Sequence, residues 1–130
     1  MIEVSCAIII EKGRVLATQR SESMPHPLKW EFPGGKLKKD ESPKASIVRE
    51  IREELGLEVD PQRLLTPVVH NYDSQSVKLI PVVCGIVDGL ILLSEHQEYR
   101  WVACEKLEEL DWLEADIGVV EMIRELLCGK

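Results

Sequence analysis

The sequence predicts an α/β domain in which a mixed β-sheet lies between helices. Three observations lead there. Runs rich in β-branched and apolar residues recur at 2–10, 15–20, 64–72 and 77–87, separated by Gly, Pro, Asn and Asp. A charged, amphipathic stretch at 43–55 carries helix signals at both ends. A second stretch, 117–127, repeats apolar residues at helical spacing. The 130 residues are enough for one domain, spanning 1–130, with a real core, and too few for two.

Residues 2–10 read as a buried strand. Lys12 and Gly13 turn the chain, and 15–20 return as a second strand. Residues 21–28 hold two prolines and read as a loop, and 29–32 are short and extended ahead of Pro33. Ser42 is a good N-cap, and Pro43 suits the first helical position, where its missing N–H costs nothing. Gly56 suits the left-handed residue that ends a helix, so a helix is expected over 43–55. Its core face is expected at Ala45, Val48, Ile51 and Leu55.

Asp60 and Pro61 then break the chain. Residues 64–72 and 77–87 read as strands of a hairpin around 73–76, and Pro81 marks an edge or a bulge. Residues 90–93 form a short apolar run, 99–104 a strand, and 105–110 a helical turn. Ile117, Val120, Ile123 and Leu127 mark a C-terminal amphipathic helix.

Net charge is −7, which argues against a surface that grips nucleic-acid polymers through their phosphates. A nucleotide remains compatible, because a metal ion masks carboxylates locally. Cys6, Cys84, Cys104 and Cys128 form no CxxC pair and sit among apolar neighbours, as buried thiols of a reducing cytosol do. The opening MIEVSCAIII has no basic leader, and no apolar run approaches the roughly 20 residues of a membrane span. A cytoplasmic protein without a membrane partner is expected.

The stretch with the most chemistry is 35–57, GKLKKDESPKASIVREIREELGL. Glu50, Glu53 and Glu54 stand at i, i+3 and i+4, so a helix brings their carboxylates to one side. Such a patch is either a solvated face laced by ion pairs, Arg49 with Glu53 for example, or a cation site. Mg²⁺ is the natural candidate, because it takes oxygen ligands and bridges carboxylates to phosphates. Gly34 and Gly35 leave room for backbone to approach metal and phosphate closely. A phosphoanhydride resists attack because its negative oxygens repel a nucleophile, and a bound cation neutralises them and acidifies water.

The same stretch resembles the Nudix box, G-x5-E-x7-R-E-U-x-E-E-x-G-U with U aliphatic. Gly35, Glu41, Arg49, Glu50, Ile51, Glu53, Glu54, Gly56 and Leu57 fill its positions. WEFPGGK at 30–36, EHQEYRW at 95–101 and ADIGVVEMI at 115–123 resemble the MutT-like branch, closest in pattern to CTP pyrophosphohydrolases. The resemblance implies the Nudix fold, an α/β/α sandwich. It implies a nucleoside triphosphate substrate, Mg²⁺ with Mn²⁺ able to substitute, and a monomer or homodimer.

By that resemblance, the Gly35 carbonyl and Glu50, Glu53, Glu54 and Glu95 are the metal ligands. Glu50, Glu53 and Glu95 are the catalytic carboxylates, and whether Glu50 or Glu95 takes the proton stays open. Glu41 and Arg49 hold loop to helix, and Lys36 balances phosphate charge. Phe32, Pro33, Gly34, Gly35, Lys36 and Leu37 are expected to line the nucleotide cleft, with Arg20 near the nucleotide. His70 and Tyr72 share a strand face, and His70 is expected to touch base or sugar.

Asp116 stands where MutT proper has an asparagine that reads oxidised guanine. It either reads the base or caps the last helix. An ionised Asp116 accepts from the cytosine N4 amino group, which favours CTP and dCTP. The alternatives are an 8-oxo-dGTP diphosphatase of MutT type, a hydrolase of dinucleoside polyphosphates or nucleotide sugars, and a non-catalytic nucleotide-binding module.

Overall fold

Strand β1 (Ile2–Glu11) is the strand about which the sheet is built. A computed structural model describes residues 1–129 of the chain. After β1 come β2 (Arg14–Gln19), β3 (Trp30–Glu31), β4 (Gly34–Lys36), helix α1 (Pro43–Leu55) and β5 (Glu58–Leu64). Then follow β6 (Val68–Tyr72), β7 (Gln75–Asp88), β8 (Glu98–Ala103), a 3₁₀ segment (Cys104–Glu109) and α2 (Glu114–Cys128). β1 runs parallel to β7, from Ile2 opposite Val77 to Ile9 opposite Cys84. Its other edge pairs antiparallel with β4 and, at the far end, with β2. β2 continues the sheet to β3 and β8, while β7 carries β5 and β6.

Alternation along β1 divides the core in two. Ala7 and Ile9 pack with Leu16, Val82 and the α1 residues Ile47, Ile51 and Leu55. Cys6 and Ile8 pack on the other side with Phe32, Trp112 and the α2 residues Val119, Val120 and Ile123. This is the expected mixed sheet between helices. Burial on both faces explains why β1 reads as a continuous apolar run.

Several local expectations are corrected. The α1 core stripe is Ile47, Ile51 and Leu55, at i, i+4 and i+8, whereas Ala45 is exposed and Val48 half-buried. α2 begins at Glu114, and Ile117 faces out. The chain does not break at Asp60 and Pro61. β5 runs through them and absorbs the proline with a register shift between Pro61 and Arg63. Residues 64–72 are two strands, because 65–67 step across from β5 to β6.

Pro81 is also not on an edge: β7 is interior to the sheet. Its carbonyl accepts from the Leu65 amide, so its missing N–H faces the step between β5 and β6, where no ladder partner is lost. Cys6 and Cys84 are buried free thiols as expected. Cys104 and Cys128 are instead joined in a disulfide with Cα atoms 5.8 Å apart, tying the 3₁₀ segment to the end of α2. Folding brings these two together, and neither spacing nor neighbours in sequence announce it. Among the described residues, no helix is long and apolar enough to cross a membrane.

Candidate active site

α1 starts and stops as its sequence requires. Ser42 Oγ accepts from the Ala45 amide at 3.1 Å, and Gly56, at φ 68°, returns its N–H to the Arg52 carbonyl. Glu50, Glu53 and Glu54 leave the helix toward a cleft of about 560 Å³. The loop before the helix is fastened by Arg49, whose Nε and Nη2 each lie 2.8 Å from the Glu41 carboxylate. That bidentate pair holds Glu41 down at about 2. Arg49 also donates to Glu50 and to the Lys36 carbonyl, and lies 3.7 Å from Glu53. Glu41 and Arg49 therefore join loop, helix and β4.

Gly35 has a specific steric role. A Cβ at this position would overlap the Glu50 carboxylate, so the bare backbone is what lets Glu50 lie against β4. The Gly35 carbonyl accepts a long bond from Ser5 Oγ, 3.4 Å, and Ser5 is paired with buried Ser46 at 2.8 Å.

Glu54 is mostly buried beside Glu50. Burial, then the neighbouring Glu50 carboxyl, push its pKa well above the carboxylate range, partly offset by the Gly34 amide. Two carboxyls this close do not ionise together without a positive charge between them. With Gly35 on the same cleft wall, the oxygen-rich donor set suits a hard divalent cation. Glu53 is 59% exposed at the rim.

The cleft is completed by the segment before β8. The Ser94 amide donates to the Glu54 carbonyl, and the Gln97 amide to the Gln19 carbonyl. Between these two anchors, exposed Glu95 lines the cleft and His96 turns inward. His96 Nε2 is 2.8 Å from Glu31 Oε2, and Arg20 Nη1 is 2.9 Å from Glu31 Oε1.

At the other end, Asp116 is 4% exposed, and its Oδ2 accepts from the Phe32 amide at 2.8 Å. It caps nothing: α2 has no side-chain N-cap. Burial pushes its pKa up to about 8, against the Phe32 bond, with Glu31 raising and Arg20 lowering it further. The direction of the shift favours the protonated carboxyl, which donates as well as accepts, and so works against the accept-only carboxylate expected from sequence.

Of the residues singled out in sequence, Arg20, Phe32, Gly34, Gly35, Lys36, Glu50, Glu53, Glu54, Glu95 and Asp116 line one cleft. Pro33, Leu37 and His70 are not among its lining. The Pro33 carbonyl takes the Ala7 amide, and the Leu37 amide goes to the Glu3 carbonyl. His70 lies 3.5 Å from Glu114, with its ring edge-on to Tyr72, and Tyr72 is the residue of that strand face which reaches the cleft. Sequence reasoning missed Glu31 and His96. Glu31 carried a signal, as an acid set between two aromatics, Trp30 and Phe32. His96 carried none beyond its neighbour Glu95.

Comparison with known proteins agrees with this arrangement. The NUDIX domain family model matches residues 1–122. The chain is 32% identical over 130 residues to the CTP pyrophosphohydrolase of Escherichia coli, covering all of this chain and 96% of that protein. It is 40% identical over 109 residues to the 8-oxo-dGTP diphosphatase of Haemophilus influenzae, covering 83% of this chain and 80% of that one. The solution structure of the E. coli ORF135 protein superposes with a TM-score of 0.85 at 32% identity, over all of this chain and 93% of that chain. With its carboxylate helix, glycine strand and α/β/α frame in the matched positions, the chain belongs to the Nudix family and is a Nudix hydrolase.

Proposed function

We propose that this enzyme is a Mg²⁺-dependent nucleoside triphosphate pyrophosphohydrolase, with Mn²⁺ able to substitute. It releases a nucleoside monophosphate and pyrophosphate, prefers cytosine nucleotides such as CTP, dCTP and their 5-methyl or 5-hydroxy forms, and clears modified or surplus nucleotides in the cytoplasm. The observation behind this is one cleft with a carboxylate cluster at one end and the buried Asp116–Phe32 pair at the other. Similarity to the CTP pyrophosphohydrolase over the whole chain supports the cytosine preference.

Glu50, Glu53, Glu54 and the Gly35 carbonyl would hold the cation, with Glu95 beside them in the same cleft. When bound, it neutralises phosphate oxygens and acidifies water. Glu50 is engaged by Arg49 and by Glu54, whereas Glu95 lines the cleft without an ion-pair partner among the described residues. Glu95 is therefore the proton acceptor. As its oxygen bonds to the β-phosphorus, water passes a proton to Glu95, and the bridging oxygen leaves with the nucleoside monophosphate. Lys36 lies on the same wall to balance phosphate charge.

The test is initial rates with CTP, dCTP, 5-methyl-dCTP, 5-hydroxy-dCTP, UTP and 8-oxo-dGTP in Mg²⁺, run in ¹⁸O-water. Label in pyrophosphate supports attack at the β-phosphorus, and label in CMP overturns it. A second reading, 8-oxo-dGTP diphosphatase, is favoured by the neutral Asp116, which can donate to a carbonyl acceptor on oxidised guanine. The same panel decides between them.

A further inference from the structure

His96 is the residue here whose surroundings ask for something more. Its side chain is 4% exposed, and Nδ1 is buried without a hydrogen-bond partner among the described residues. That nitrogen points at Glu54, 3.9 Å from Oε1. The other nitrogen, Nε2, is committed: it lies 2.8 Å from Glu31, whose second oxygen is held by Arg20. With Nε2 bonded to Glu31, Nδ1 is the ring nitrogen that faces Glu54.

A buried ring nitrogen with no hydrogen-bond partner is unfavourable. A cation held between Nδ1 and Glu54 would satisfy it. Two ligand atoms each about 2.1 Å from one ion stand about 3 to 4.2 Å apart, depending on the angle between them. The observed gap falls inside that range. A histidine that donates one ring N–H to a carboxylate while its other nitrogen meets a metal is a recurring arrangement, because the carboxylate fixes the ring and raises its basicity.

We infer that His96 Nδ1 joins Glu54 as a ligand of the divalent cation, with Glu31 orienting the ring, so that the cation site mixes nitrogen and oxygen donors and favours Mn²⁺ over Mg²⁺. Imidazole suits transition metals, whereas Mg²⁺ prefers oxygen alone. The inference rests on the carboxylate end of the cleft being the cation site, but not on the substrate.

Pulsed EPR of the full-length protein with Mn²⁺ alone tests it without turnover. Directly bound imidazole nitrogen is expected in the wild type, replaced by the ¹⁵N pattern when the protein is grown with ¹⁵N-histidine. His96→Gln should abolish the signal and lower the ratio of Mn²⁺ to Mg²⁺ affinity by about tenfold. The chain has three histidines, so a His26→Gln, His70→Gln double variant must keep the signal, which assigns it even if His96→Gln fails to fold. Bound Mn²⁺ with no nitrogen coupling, loss of the coupling in the double variant, or no Mn²⁺ binding would each overturn the inference. A nitrogen signal in a protein that releases no pyrophosphate would instead overturn the proposed reaction and leave His96 a ligand.

Discussion

The Phe32 amide donates to Asp116 Oδ2 at 2.8 Å, joining the segment after β3 to the first turn of α2. Asparagine keeps an oxygen for that amide and cannot ionise, so Asp116→Asn imitates the neutral acid. The raised pKa has a defined sign. Between the ordinary 3.8 and about 8, the folded state binds more protons than the unfolded chain, so stability falls as pH rises through that window. Denaturation midpoints at pH 5 and pH 8 in EDTA should therefore converge in the variant relative to wild type. Equal pH slopes in the two proteins would mean that Asp116 is ionised in the fold.

The same substitution bears on catalysis. If the neutral acid contacts the base, the ratio of variant to wild-type kcat/KM for CTP should rise as pH passes about 8, where Asp116 loses its proton. A ratio that stays constant from pH 6 to pH 9.5 would remove Asp116 from base recognition.

Glu54→Gln keeps the side chain's shape and removes its charge. Turnover at saturating Mg²⁺ should drop by at least ~100-fold, as when charge stabilisation in a transition state is lost. Metal-free stability at alkaline pH should move the other way and increase. The wild-type fold must give up a proton there from a group that burial and Glu50 hold protonated. Near-normal turnover would rule out Glu54 as a ligand.

Metal and protons compete for the same carboxyls, so affinity should increase with pH. Melting curves with Mg²⁺ against EDTA are expected to separate, by the equivalent of about 2.7 kcal/mol at a hundredfold excess over Kd. The separation should be wider at pH 8 than at pH 6. No separation at either pH would count against a preformed site.

Gly35→Ala places a methyl group where the Glu50 carboxylate now lies. Because Glu50 is a side-chain end, it yields rather than the backbone, and the fold should survive with a similar melting temperature in EDTA. Turnover should nevertheless fall by about 100-fold, the effect of moving a reacting group by about 1 Å. Unchanged turnover would show that Glu50 does not need its place beside β4.

The boundaries of α1 were legible from sequence to the residue, because Ser42, Pro43 and Gly56 act through hydrogen bonds and φ angles that reach only a few residues along the chain. So was the grouping of Glu50, Glu53 and Glu54, which follows from helical spacing alone. The continuous β-branched, apolar run of β1 likewise sufficed for a buried strand. Pro81 was misread, because whether a missing N–H matters depends on which strand stands opposite it.

What only the tertiary structure decided are the partners and their charge states. His96 meets Glu31 across 65 residues of sequence, and Asp116 meets Phe32 across 84. Cys104 meets Cys128 where the 3₁₀ segment runs against the end of α2. The protonation of Asp116 and Glu54 is set by how much water is excluded around them, a property of everything packed nearby. Local spacing thus determined where the carboxylates stand, and the long-range packing determined which groups they face and which of them burial pushes toward the protonated form.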